Sequence, residues 1–454
     1  MKSAFSNTRL RAAGTATVAI LASLLLSGIA HAQKDPGVRG GNPGAGGAVT
    51  GLSPLQQQIF SVGNQLYTQI TSVTGSITGT RKGLGPRYNG INCSGCHTQP
   101  AIGGSSPTLN PEIKAANYAH ATNSLPSFVT PDGPALIARF IYLDDGVTPD
   151  GSVHDLFTIT GRTDAKSCNI TQPDFAGNLA RNNVIFRIPT PTFGMGLVET
   201  IQDASIIANM NANAARKQGL GIGGHPNYTA DGNTISRFGW KAQDPSSLTF
   251  TAEAHNTEMG VTNELLTVER DETPGCVLNG TPEDHTNFAG KSASQVQSAT
   301  ANIAMFMRFL DQPTPALPTQ STQNGEKQFK AVGCVLCHTE SFTTGPSSVP
   351  GLGRVVTKLY SDLLVHHMGP GLADNIVQGS AGGDEFRSAP LWGLGQRIFF
   401  MHDGRTTDLL QAIQDHFSTG NGKYPDSEAN QVVNGFNGLS PQDQQDVLNF
   451  LRSL

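Results

Sequence analysis

The 454-residue sequence predicts a mainly α chain, two helical units separated by a proline-rich break, with long loop and short β insertions. Three observations predict it. Apolar residues recur at helical spacing after Ser53, between 295 and 310, and after Ser440. Pro313, Pro315 and Pro318 interrupt that pattern, and 52 glycines with 27 prolines assign much of the remainder to turns and loops. The length exceeds one usual hydrophobic core, so two or three domains are expected. A net charge of -5, with 14% of residues charged, gives no basic surplus that would point to nucleic acid.

Taken in chain order, residues 1–32 read as a signal peptide. Lys2, Arg9 and Arg11 form a basic start, 16–29 is a run of apolar and small residues, and Ala30-His31-Ala32 supplies the small-x-small cleavage pattern before Gln33. The mature chain is therefore expected outside the cytoplasmic membrane, in the periplasm. No transmembrane anchor is expected, because the apolar run is short and no later stretch approaches 18 apolar residues. Residues 33–52 are glycine-rich and predict a flexible linker.

Ser53 and Pro54 then signal a helix start, with Leu55, Ile59, Val62 and Leu66 on one face. Residues 98–180, rich in Pro, Gly, Asn and Thr, predict an insertion of loops and short β segments. The helix through Ile303, Phe306 and Phe309 ends before the prolines, which divides the chain into domains over 53–312 and 321–454. In the second domain, Gly325 and Phe329 mark a face that packs against the last helix. Ser440 to Asp443 resembles a capping box, and Val447, Leu448, Leu451 and Leu454 form the last helix's apolar stripe.

Two Cys-x-x-Cys-His motifs, Cys93-Cys96-His97 and Cys334-Cys337-His338, carry the chemistry. This spacing attaches haem: the two thiols form thioethers to the porphyrin, and the trailing histidine is placed to ligate iron. A structural zinc site would group its four ligands, whereas these motifs lie 241 residues apart and each has its own histidine. A dithiol redox site would need a βαβ setting, which neither motif has. The two helical units therefore read as cytochrome c-like domains carrying two covalently attached c-type haems. Cys168 and Cys276 remain, and in an oxidising compartment they are expected to pair, closing a loop of 108 residues worth about 4 to 5 kcal/mol in the chain-entropy model.

Further segments carry a resemblance: 187–203 (RIPTPTFGMGLVETIQD), 237–243 (RFGWKAQ), 256–262 (NTEMGVT), 360–375 (YSDLLVHHMGPGLADN) and 386–416 (FRSAPLWGLGQRIFFMHDGRTTDLLQAIQDH). With the two haem motifs, they resemble the di-haem oxidoreductase family of the di-haem cytochrome c peroxidase superfamily. The resemblance implies a peroxidase-like enzyme that activates peroxide at the amino-terminal haem and exchanges electrons with a small redox protein or other donor through the carboxy-terminal haem.

Residue by residue, the resemblance places the distal ligand of the second haem fourteen positions after the histidine of a His-Asp-Gly motif. His402 begins that motif here, so the position is His416; Met368, Met401, His366 and His367 are the competing ligands. Trp240 matches the tryptophan that relatives place between their haems, and Glu258 matches the acid beside the first haem, with His255 as an alternative proton donor. The glutamine that often accompanies this acid has no assigned counterpart. Calcium between the domains occurs in relatives, with no ligands assigned in this chain. Oxygenation of an organic substrate and simple electron carriage are the alternative readings.

Overall fold

Local capping chemistry starts the principal helices. In this computed structural model, which describes residues 33–151, 155–271 and 273–454, Ser53 caps the helix Pro54–Thr68 through a reciprocal box with Gln56. Ser246 and Thr249 start Ser247–Thr257 in the same way, and Ser298 caps Ala299–Phe309. The expected signal peptide, residues 1–32, lies outside the described residues. Among the described residues, fourteen α-helices accompany β-strands of two to four residues that pair only in twos. Loops nevertheless hold more of the chain than helices do, so the mainly α expectation holds for the regular elements alone. No described helix is long and apolar enough to cross a membrane.

The helices Pro54–Thr68 and Ala299–Phe309 lie unusually close. A Cβ on Gly63 would come within 2.3 Å of the Asn302 carbonyl oxygen, so only glycine permits this approach. Phe60 and Tyr67 each pack on Phe306 with ring centroids 5.1 Å apart. The same device recurs in the second half, where a Cβ on Gly325 would meet the Asp446 carbonyl oxygen at 1.9 Å. There Gln320–Val332 packs on the last helix, Pro441–Ser453, through Phe329 and Phe450. Val447, Leu448, Leu451 and Leu454 are all buried, as their spacing predicts. Ser440 caps the last helix by accepting from the Asp443 amide.

Two expectations need correction. The glycine-rich stretch is not a free linker. Its amides and carbonyls bond to Phe309, Asp311, Thr314 and Gly395, Val49 is 3% exposed, and Asp35 forms an ion pair with Arg452. The partners of this strap lie hundreds of residues away, which local composition cannot reveal. The prolines do not end a core either: the largest apolar cluster takes Ile303, Phe306 and Phe309 from before them and Leu352, Leu359 and Leu363 from after them. The stretches 53–312 and 321–454 therefore both contribute to this cluster across the proline break.

Between 98 and 180, loops surround the strand Ile137–Phe140, which pairs antiparallel with Val184–Arg187. Cys168 and Cys276 are joined, with a separation of 108 residues. Replacing both by serine should lower stability by about 2 to 5 kcal/mol, because the open chain gains freedom that the crosslink removes. A urea titration of the purified, oxidised protein checks this, and an unchanged midpoint would contradict it.

Candidate haem-binding site

Asn92 builds the first motif. Its side-chain oxygen accepts from the Gly95 amide at 2.8 Å and starts the single turn Cys93–Cys96, which brings both thiols to one wall. Neither thiol is in a disulfide. The Nδ1–H of His97 donates to the Thr190 carbonyl at 2.9 Å, which leaves Nε2 as the nitrogen for a metal. Burial holds this imidazole neutral, with its pKa pushed down to about 4. A cavity of about 690 Å³ opens here, lined by Tyr67, Tyr88, Glu112, His255, Glu258, Met259 and Met307 along with the motif. A second cavity of about 680 Å³ shares Cys96, His97 and Glu258 with it and adds Arg139, Trp240, Gln243 and Glu253.

The second motif follows Gly333, whose φ of 113° turns the chain out of Gln320–Val332 and into the turn Cys334–Leu336. His338 repeats the arrangement of His97: Nδ1–H donates to the Tyr360 carbonyl at 3.0 Å, and burial pushes its pKa down to about 4. The cavity around it measures about 1400 Å³ and is walled by Phe329, Leu391, Phe400, Val432, Phe436 and Leu451. Two thiols, an imidazole with Nε2 available and an apolar wall match what a covalently held haem requires, and both cavities supply that set.

His416 lines the same cavity as His338 and donates from Nδ1 to the Ala412 carbonyl at 2.7 Å, again leaving Nε2. Its competitors differ. Both nitrogens of His366 are engaged, by Asp362 at 3.1 Å and Glu428 at 2.7 Å, and those of His367 by Asp384 and Glu385. Met368 and Met401 reach the cavity wall, Met401 with a φ of 65°.

Among the described residues, Trp240 alone lines both the 1400 Å³ cavity holding His338 and the 680 Å³ cavity holding His97. Its indole N–H donates to the Ile188 carbonyl at 2.8 Å, and its ring meets His402 edge-on at 6.4 Å. His402 itself stacks on Phe386 at 4.2 Å. Lys241, the next residue after Trp240, is fully buried and pairs with Asp374, which also holds Arg187.

Glu258 ends the helix Ser247–Thr257 and reaches both cavities beside His97. Burial, helped by the nearby charge of Glu253 and opposed by Arg139, pushes its carboxyl up to about 7. His255 faces the first cavity too, with Nδ1 bonded to the Thr300 hydroxyl at 2.7 Å. Gln243, not assigned from the sequence, lines the wall with Glu258, and its position three residues after Trp240 was the available signal. Among the described residues, no group of three or more His, Cys, Asp or Glu is arranged to hold a metal ion, so the calcium expectation gains no such ligand set.

Two cavities that each carry a Cys-x-x-Cys-His motif define a class, proteins furnished to hold two haems. The chain belongs to the family described as "Di-haem oxidoreductase, putative peroxidase", whose model matches residues 138–454. That span contains the second haem motif and begins after the first. Among solved structures, a MauG-like protein associated with microbial copper homeostasis is 18% identical over 36% of this chain and 54% of that one, with a TM-score of 0.25. This chain thus spans about half the length of that protein. Hydrazine synthase of Kuenenia stuttgartiensis is 13% identical, with a TM-score of 0.37, over 98% of this chain and 100% of that one. Likenesses this slight carry no argument about fold or chemistry. No curated protein matches the chain.

Proposed function

We propose that this is an exported, periplasmic di-haem peroxidase-like oxidoreductase, which takes peroxide at the first cavity and receives electrons at the second from a small redox protein or other donor. One observation carries the reading: the space beside His97 and the cavity at His338 are furnished differently, and Trp240 lines both the latter and the 680 Å³ cavity that adjoins His97. The cavity at His338 offers a second imidazole, His416, whereas the one at His97 offers a buried carboxyl, Glu258, with Gln243 in the adjoining wall.

Cys93, Cys96, Cys334 and Cys337 would hold the two haems by thioether bonds, with His97 and His338 as proximal ligands. His416 would offer a second imidazole to the iron of the second haem. When bound, the haems supply iron that takes up peroxide oxygen and exchanges electrons. Glu258 takes a proton from the near oxygen of peroxide and returns one to the leaving oxygen, a double duty that suits a carboxyl whose pKa is close to neutral. The Gln243 amide is placed to orient the oxidant by hydrogen bonding. Ile188 fixes the Trp240 indole in the wall between the cavities, where an oxidisable ring can pass charge.

A specific observation supports electron carriage as a second reading: His255 also lines the first cavity and could supply a second imidazole there. Electron paramagnetic resonance of the oxidised protein separates the two. The peroxidase reading expects one high-spin and one low-spin ferric signal, and peroxide should change the haem absorption. Two low-spin signals with no response to peroxide would establish the carrier and end the peroxidase reading. A stable dioxygen adduct would point instead to oxygenation of an organic substrate.

A further inference from the structure

Most buried arginines in this chain have an acidic partner. Arg162 pairs with Asp164, Arg187 with Asp374, Arg237 with Asp203 and Arg452 with Asp35. Two arginines that face the cavity of His338, Arg387 and Arg397, have no such partner among the described residues. Arg397 is 8% exposed, and its guanidinium has no hydrogen bond or ion pair among the described residues. Arg387 bonds only to backbone, from Nε to the Gly239 carbonyl at 3.0 Å and weakly to that of Ser388. Burial lowers both pKa values to about 10, and the charge of Arg397 further disfavours that of Arg387.

The acids nearby are already committed. Asp362, whose charge favours that of Arg387, accepts from Ser388 and from His366. Glu428, the only acid in the cavity wall among the described residues, accepts from His366 and from the amides of Gly223, Gly224 and His367. Two like charges that face one largely apolar cavity, with the nearby acids bonded elsewhere, favour an occupant that brings negative charge to them. The occupant has to be mostly apolar as well, because the rest of the wall is.

A haem meets both conditions, with an apolar ring and two propionate carboxylates on one edge. We propose that Arg387 and Arg397 bind the propionates of the haem attached at Cys334 and Cys337. This rests on the haem reading but not on the peroxidase reading. The planar guanidinium suits a carboxylate better than an ammonium does, because its N–H groups match both oxygens. Both arginines also line a neighbouring pocket of about 470 Å³ together with Trp240 and Trp392. The anchored edge therefore borders the indole that joins the cavities.

The test uses the full-length holoprotein, with both midpoint potentials read by spectroelectrochemical titration and propionate bending bands by resonance Raman. Arg397→Met removes a cation beside the haem carboxylates, which favours the ferric state. One of the two potentials should fall, the other should stay, and the propionate bands of the affected haem should shift. Arg397→Lys should restore part of the potential, and the double change with Arg387→Met should lower it further. Arg397→Gln serves if the methionine variant fails to accumulate. Unchanged potentials and unchanged propionate bands would overturn the proposal. Wild-type protein without haem at the second motif would overturn it together with the haem reading, whereas haem-loaded protein inert to peroxide would leave it standing.

Discussion

Glu258→Gln should slow the reaction of the oxidised or half-reduced protein with peroxide by about 10²- to 10⁴-fold, the usual contribution of a positioned proton-transfer group. Haem content and the absorption spectrum at rest should stay as they are. Glutamine keeps the shape of the side chain and removes its ability to accept and return a proton. The pH dependence should change with it. Burial raises the Glu258 carboxyl from 4.5 to about 7, so the ionised form that accepts a proton accumulates as pH rises through about 7. The wild-type rate should climb over that range, and the glutamine variant should lose the rise. Stopped-flow absorption across pH 5.5 to 8.5 reads both effects; an unaltered rate and profile would remove Glu258 from the proposed chemistry. The stability contribution has the opposite trend. A carboxyl whose folded pKa lies above its unfolded one is most favourable to folding when protonated, so this group's contribution declines between about 4.5 and 7.

Replacing Cys334 and Cys337 together by serine should leave a protein with one haem where the native one holds two. Intact mass and the alkaline pyridine haemochrome would report the loss directly. The effect on the fold should also be large, because the apolar wall beside His338 lines a cavity of about 1400 Å³, open solvent at its mouth included. Without the porphyrin, Phe329, Phe400 and Phe436 would face an empty or flooded space, so expression yield and thermal midpoint should both fall. The matching change at Cys93 and Cys96 should abolish the peroxide response and retain the low-spin signal of the second haem. Two haems remaining in either double variant would refute covalent attachment at that motif.

What was legible in the sequence was local. The haem motifs, the serine caps at 53 and 440, and the apolar stripe of the last helix depend on residues within a few positions of each other, and spacing exposes such patterns. The pairing of Cys168 with Cys276 was accessible by subtraction, since four cysteines were already committed. Glu258 and His416 came through resemblance, and each lines the expected cavity. Spacing alone could not distinguish His416 from His366, because the difference lies in which ring nitrogens are already bonded. The strap at 33–52 was misread because glycine content predicts freedom, while its hydrogen bonds to Phe309, Asp311 and Gly395 are long-range. Gln243, Arg387 and Arg397 left no periodic signal, since their significance depends on which wall they share.

The crosslink between Cys168 and Cys276 makes the intervening polypeptide a closed ring, and Trp240, Gln243, Glu253 and Glu258 are all carried on it. A protease that nicks the exposed turn at 230–233 therefore opens the backbone without releasing either piece. The residues that line the cavity beside His97 stay tethered through such damage, until a reductant severs the sulfur bond.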